Sequence, residues 1–154
     1  AVTIKPVIKN AFKCLDIAHY PMVLAVHESS PLAQKSYVRY EDLANETFVS
    51  YEEDSVLYQR FMGKTNEAGY TPNILTKAAE SPFLLSMVED NNGIMVIPQC
   101  VTHYREFKNI KFLDIMGEES GYELVMIYKK DRVLSQAAIT FIDFIKNWYP
   151  QEER

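Results

Sequence analysis

Cysteine is scarce in this sequence: Cys14 and Cys100 are the only two, and they lie too far apart for a CxxC redox or zinc pattern. Neither has histidines at ligand spacing, so the expectation is no metal site and no cofactor. Long apolar runs are missing too. The longest is far short of the roughly 20 residues a membrane helix needs, and no signal peptide opens the chain, so no membrane partner is expected and the simplest compartment is the cytoplasm. A start at Ala1 rather than Met reads as a processed or cut chain. A basic stripe is also lacking. The chain carries 16 Lys and Arg against 21 Asp and Glu, a net charge of -5, with the cations scattered, so this segment should not bind DNA alone.

Glycine numbers only five, and no G-x-G-x-x-G, G-x-x-x-x-G-K or G-x-S-x-G pattern is present, nor is H-E-x-x-H. His19, His27 and His103 fall in different segments without a fixed carboxylate spacing and read as ordinary surface or hinge histidines. No catalytic residue is assigned, and an enzyme is not expected. What the 154 residues do carry is 47% apolar side chains, enough for one ordinary core or two small lobes.

The pattern along the chain alternates. Strands are expected at 1–4, 12–17 and 22–27, the last two separated by His19-Tyr20-Pro21, which could act as a hinge. Ser29-Ser30-Pro31-Leu32 starts a short helix, and Tyr40 to Ala44 reads as a second brief turn before the β-rich run Thr47-Phe48-Val49-Ser50-Tyr51. From Asp54 to Gly69 the period is helical, with Val56, Leu57, Phe61 and Met62 on one stripe. Further strands are expected at 73–78, 111–115 and 124–128, and a helix within 101–107. Ser135 caps a last amphipathic helix to about Trp148, with Ile139, Ile142, Phe144 and Ile145 facing inward. Strands alternating with helices argue for an α/β layer architecture with mostly parallel pairing.

The stretch 80–98 is the most informative. Ser81 suits an N-cap, Pro82 the first helical position, and Asn91-Asn92-Gly93 a positive-φ stop. Ile94-Met95-Val96-Ile97 then has no polar face, as a strand covered on both sides would have. Such a helix start beside a strand's end can hold a small ligand, and its backbone N–H groups favour an anion, although Pro82 removes one donor and Glu52 and Glu80 oppose negative charge.

This module, with Ser30-Pro31-Leu32-Ala33, Gly69-Tyr70-Thr71-Pro72, the run from Val88 to Pro98, and Asp131-Arg132-Val133-Leu134-Ser135 leading into Ala137 to Phe144, resembles the effector-sensing domain of LysR-type transcriptional regulators. The order and spacing of these markers cover nearly the whole chain. Asn91 stands where the family has its first glycine, and Glu89 and Asp90 replace small residues. The resemblance implies an α/β, periplasmic-binding-protein-like (type 2) fold of two lobes joined by two crossing strands. It makes 22–121 a complete second lobe, and 1–21 with 122–154 a partial first lobe, the winged helix that reads DNA lying outside the sequence. It implies a regulatory domain that binds a small metabolite between its lobes, works allosterically and self-associates.

The resemblance also places this lobe's side of the pocket at the strand end Ser50, Tyr51 and Glu52, the helix start Ala79, Glu80 and Ser81, and Pro98. Glu52-Glu53-Asp54 has a second reading, as acids favoured by the dipole of a helix's first turn. On the helix that follows, Tyr58 and Phe61 are subunit-contact candidates if exposed, and core residues otherwise. A two-lobed solute-binding protein is the alternative, and a small α/β enzyme the more distant one. The resemblance implies that half of the pocket donors are missing here, so isothermal titration calorimetry of the chain with small metabolites is expected to show poor binding or none; tight binding would contradict that expectation.

Overall fold

The computed structural model describes residues 1–5, 11–104, 106–119 and 121–148. The chain divides into two compact units, one made of Ala1–His19 with Tyr122–Arg154 and the other of Tyr20–Gly121.

In the first unit, β1 (Val2–Ile4), β9 (Tyr122–Lys129) and β2 (Phe12–Tyr20) form a three-stranded sheet in the order β1-β9-β2. β1 runs antiparallel to β9, with Val2 opposite Met126. Helix α3 (Gln136–Trp148) begins after Ser135, whose Oγ accepts the Ala138 N–H at 3.2 Å. Its inward stripe is narrower than expected. Ile142 is buried with Ile17 and Met126, and Ile145 packs at the margin, whereas Ile139 and Phe144 are 41% and 53% exposed. Phe144 instead lies against Trp148 one turn on, with ring centroids 5.6 Å apart.

The second unit is built on β3 (Met22–His27), which is apolar and buried from Met22 through Val26. β7 (Met95–Pro98) and β8 (Ile110–Ile115) flank it, and the short β4 (Tyr37–Val38) follows β8 to give the order β4-β8-β3-β7. β5 (Thr47–Ser50) pairs with β6 (Asn73–Lys77), and a parallel bridge between Phe48 and Ile94 joins this pair to β7. Short 3₁₀ turns, Pro31–Gln34 and Tyr40–Leu43, complete the β3 to β5 connection.

The expectation of mostly parallel pairing fails at the centre. β4–β8 and β5–β6 are parallel, but β3 is antiparallel to both its neighbours. Met22 pairs with Pro98 and His27 with Ile110, so both neighbours run against β3.

Helix α1 (Val56–Glu67) is capped by Ser55 Oγ, which accepts the Leu57 N–H at 3.2 Å. Its buried face is Phe61 and Thr65, while Val56, expected on the inward stripe, is exposed. Helix α2 (Ser81–Glu89) drives Leu84, Leu85 and Val88 into a core shared with Val23, Val49, Met95 and Ile97. Its N-cap is Glu80 rather than Ser81, so the serine sits one position inside the helix and its hydroxyl is directed elsewhere.

The helix stops as its sequence implied. Asn91 takes φ 58°, and the Asn91 and Asn92 N–H groups return to the Val88 and Met87 carbonyls. Gly93, at φ 155°, passes so close to β5 that a Cβ would lie 3.0 Å from the Thr47 carbonyl oxygen. The helix expected within 101–107 is a 3₁₀ turn displaced toward the strand, Gln99–His103, started at once by the fixed φ of Pro98; Arg105 lies outside the described residues. Among the described residues no helix is long and apolar enough to cross a membrane.

Phe48 is fully buried on the strand that links the two sheet parts, its ring 4.9 Å from that of Phe61. Phe48→Ala is expected to cost about 3–5 kcal/mol of unfolding free energy in urea titrations.

Candidate functional site

Three strands that run in the same direction end on one edge of the 20–121 unit: β5 at Ser50, β6 at Lys77 and β7 at Pro98. In α/β sheets that carboxyl edge is where ligands bind. Helix α2 begins on it. The Tyr51 hydroxyl and the Ser81 Oγ hydrogen bond at 2.9 Å, tying the end of β5 to the helix start, and the Ala78 N–H donates to the Ser50 carbonyl at 3.1 Å. A bond of this kind is worth about 1 kcal/mol net.

The sequence candidates fall around this edge. Tyr51 and Ser81 are in contact, Ser50 and Pro98 are buried at their strand ends, and Glu52, Ala79 and Glu80 are exposed. Glu80 makes no side-chain capping bond, and Pro82 supplies no N–H, so the first turn of α2 is not closed by its own cap residue. The acids 52–54 do not occupy the first turn of α1, which starts after Ser55. Glu53 instead bonds Lys77 Nζ at 2.5 Å, and the same ammonium lies 5.0 Å over the Tyr58 ring. The hydrogen bond with Lys77 holds the Glu53 carboxyl below its usual range and holds Lys77 above its own.

Lys77 was not among the sequence candidates; it is the cation that stands on an edge otherwise marked by Glu52, Glu53 and Glu80. Its strand position, two residues before Ala79, was the available signal. The contact candidates separate: Tyr58 is half-buried at this rim, whereas Phe61 is 5% exposed and packs on Phe48 in the core of this unit.

A second polar cluster lies elsewhere in the same unit and was not foreseen. Glu118 is 1% exposed, and its Oε2 accepts from Arg60 Nη2 at 2.7 Å and Nε at 3.2 Å. Among the described residues its Oε1 has no hydrogen-bond partner, and it stands 3.8 Å from Lys64 Nζ. A cavity of about 350 Å³ adjoins it, lined among others by Arg39, Tyr40, Lys64, Glu67 and Glu118. Arg60 and Lys64, one helical turn apart on α1, were the visible trace of this cluster. No group of three or more His, Cys, Asp or Glu able to hold a metal is present among the described residues.

These strands, helices and edges define an effector-binding domain of the periplasmic-binding-protein type, and solved structures share the fold. The regulatory domain of CcmR from Synechocystis PCC6803, in complex with 2-PG, superimposes at a TM-score of 0.85 with 18% identity, over 97% of this chain and 73% of that one. The effector-binding domain of QuiR in complex with shikimate gives 0.81 with 21% identity, over 99% of this chain and 73% of that one. The LysR substrate binding domain family matches residues 1–150, and the chain belongs to it.

Among curated relatives, the uncharacterized HTH-type transcriptional regulator YwbI of Bacillus subtilis is 28% identical over 99% of this chain and 51% of its own length. The regulator OxyR of Escherichia coli is 28% identical over 78% of this chain and 40% of its own length. The chain thus spans about half the length, or less, of these relatives. As a member of this family it is an effector-binding regulatory domain of LysR type, not an enzyme.

Burial raises the Tyr70 phenol from 10.0 to about 12, and the Glu41 charge adds to the effect; burial likewise raises Tyr40, followed by the Glu118 charge. The unfolded chain ionises these groups first, so their stability contribution is complete below pH 10; that of Tyr70 is lost as pH rises through about 12, and that of Tyr40 over a range that extends higher. Denaturant midpoints measured between pH 9 and 12 are expected to fall, and Tyr70→Phe to flatten the fall.

Proposed function

We propose that a small effector, carrying a carboxylate or similar anion, binds at the carboxyl edge of the 20–121 unit. Tyr51, Ser81 and Lys77 carry recognition, with Ser50, Glu52, Ala79, Glu80 and Pro98 as the surrounding frame. The observation that supports this most is the Tyr51–Ser81 hydrogen bond, which sets two hydroxyls, that of Tyr51 on a buried side chain, where a strand ends and a helix begins. Lys77 supplies the charge. Glu53 occupies it without a ligand, so an anion competes with that carboxylate, which is well hydrated and easily displaced.

Related domains have been solved with 2-PG, shikimate and benzoate, in line with a small effector here. In this reading the 20–121 unit is a complete second lobe, and 1–19 with 122–154 part of a first. The whole protein is a cytoplasmic regulator that self-associates, with Tyr58 at a subunit contact, and that meets DNA only through a part outside this chain. The effector works by differential affinity: it favours the arrangement it binds better and breaks no bond.

Titration of the isotope-labelled chain with benzoate and, separately, with neutral benzamide tests this by amide chemical shifts. Benzoate is expected to move Tyr51, Lys77 and Ser81 at weak affinity, and benzamide to move them less. Lys77→Gln should remove the difference. Shifts confined to other parts of the unit, or equal responses to both compounds, would overturn the assignment.

A further inference from the structure

Glu118 occupies an unusual position in the chain path. Its carbonyl oxygen accepts the Met22 N–H at 3.0 Å and the Gly121 N–H at 3.2 Å. Met22 opens β3 and Gly121 is the last residue of the 20–121 unit, so one carbonyl is bonded to both segments through which the chain enters and leaves that unit. The side chain of the same residue turns inward to Arg60 and Lys64 on α1. One residue therefore bonds the start of β3 and helix α1 to the turn in which it lies, the turn that ends at Gly121.

We propose that Glu118 is a conformational relay, coupling the position of helix α1 to both segments that connect this unit to the rest of the chain.

Three observations bear on how such a relay would move. The carboxylate is buried but only half satisfied, with both Arg60 donors on Oε2 and Oε1 unbonded among the described residues. A buried carboxylate in that condition gains from a small rotation that brings Oε1 onto Lys64 Nζ, which stands 3.8 Å away. The cavity beside it provides room for that rotation and for hydration of the released oxygen. Space on the other side is closed: a Cβ on Gly121 would stand 2.4 Å from Glu118 Oε2 and 2.4 Å from Met22 Cγ. Any side chain at 121 must displace the carboxylate, and displacement of the carboxylate is felt at Arg60, itself 3.1 Å from the same point. The relay stands apart from the ligand assignment and holds whether or not an anion binds near Lys77.

Coupling of this kind is reciprocal, and that property makes the test. Native-state amide exchange would be followed in the intact chain for Arg60→Met, Gly121→Ala and a control of ordinary core damage, Val88→Ala. Arg60→Met is expected to speed exchange at the Met22 and Gly121 amides tenfold or more relative to Leu24 and Val96. Gly121→Ala should speed exchange in the 60–65 stretch of α1 relative to Leu85 and Val88. Val88→Ala should show neither pattern. Effects confined to the mutated element, or a pattern matching the Val88→Ala control, would overturn the relay; should Arg60→Met fail to fold, the Gly121→Ala response decides alone.

Discussion

The larger unit depends on the burial of one strand. Met22 through Val26 are each at most 3% exposed, with Val23 and Ala25 packed under α2 and the alternate residues Leu24 and Val26 turned to the other face. A strand apolar on both faces has no solvent side to fall back on, so it holds its place only while both faces and both edges are covered. β7 and β8 supply the edges and α2 one of the faces. The Glu118 cluster and the candidate edge both adjoin this strand: its first residue bonds to Glu118, and its neighbour β7 ends at Pro98 on the candidate edge.

The edge itself is a compromise between shape and charge. Strand ends and a helix start provide hydroxyls and backbone donors, and the acids around them would repel an anion if nothing opposed them. Lys77 opposes them, held by Glu53 and by the face of Tyr58. Both holding contacts are solvent-accessible, which keeps the ammonium exchangeable. The other polar cluster follows the opposite logic. Around Glu118 the charges are withdrawn from water, the geometry is incomplete, and small movements carry larger energetic weight.

Local features were legible and their long-range use was not. Ser30 and Ser55 cap the elements they precede, Asn91 and Gly93 stop α2, and the apolar run before Pro98 is a buried strand, because each depends on residues a few positions apart. Ser81 shows where that logic ends: a good capping residue gave the cap to Glu80 because its hydroxyl found Tyr51, thirty residues away. Phe61 shows it too, since an aromatic on a weakly amphipathic helix fits a core or a contact until Phe48 is seen beneath it. Along α3 the apolar stripe was wider than the face the sheet could cover, leaving Ile139 and Phe144 outside.

By itself the sequence determined the element types, the family markers and the strand and helix ends that form the candidate edge, since periodicity, capping and turn chemistry act within a few residues. Tertiary structure alone decided the antiparallel seat of β3, the placement of Lys77 against Glu53 and Tyr58, and the burial of Glu118 on Arg60, 58 residues apart. Pairing direction and charge partnership are settled by which surfaces meet in space, and no local pattern encodes that meeting.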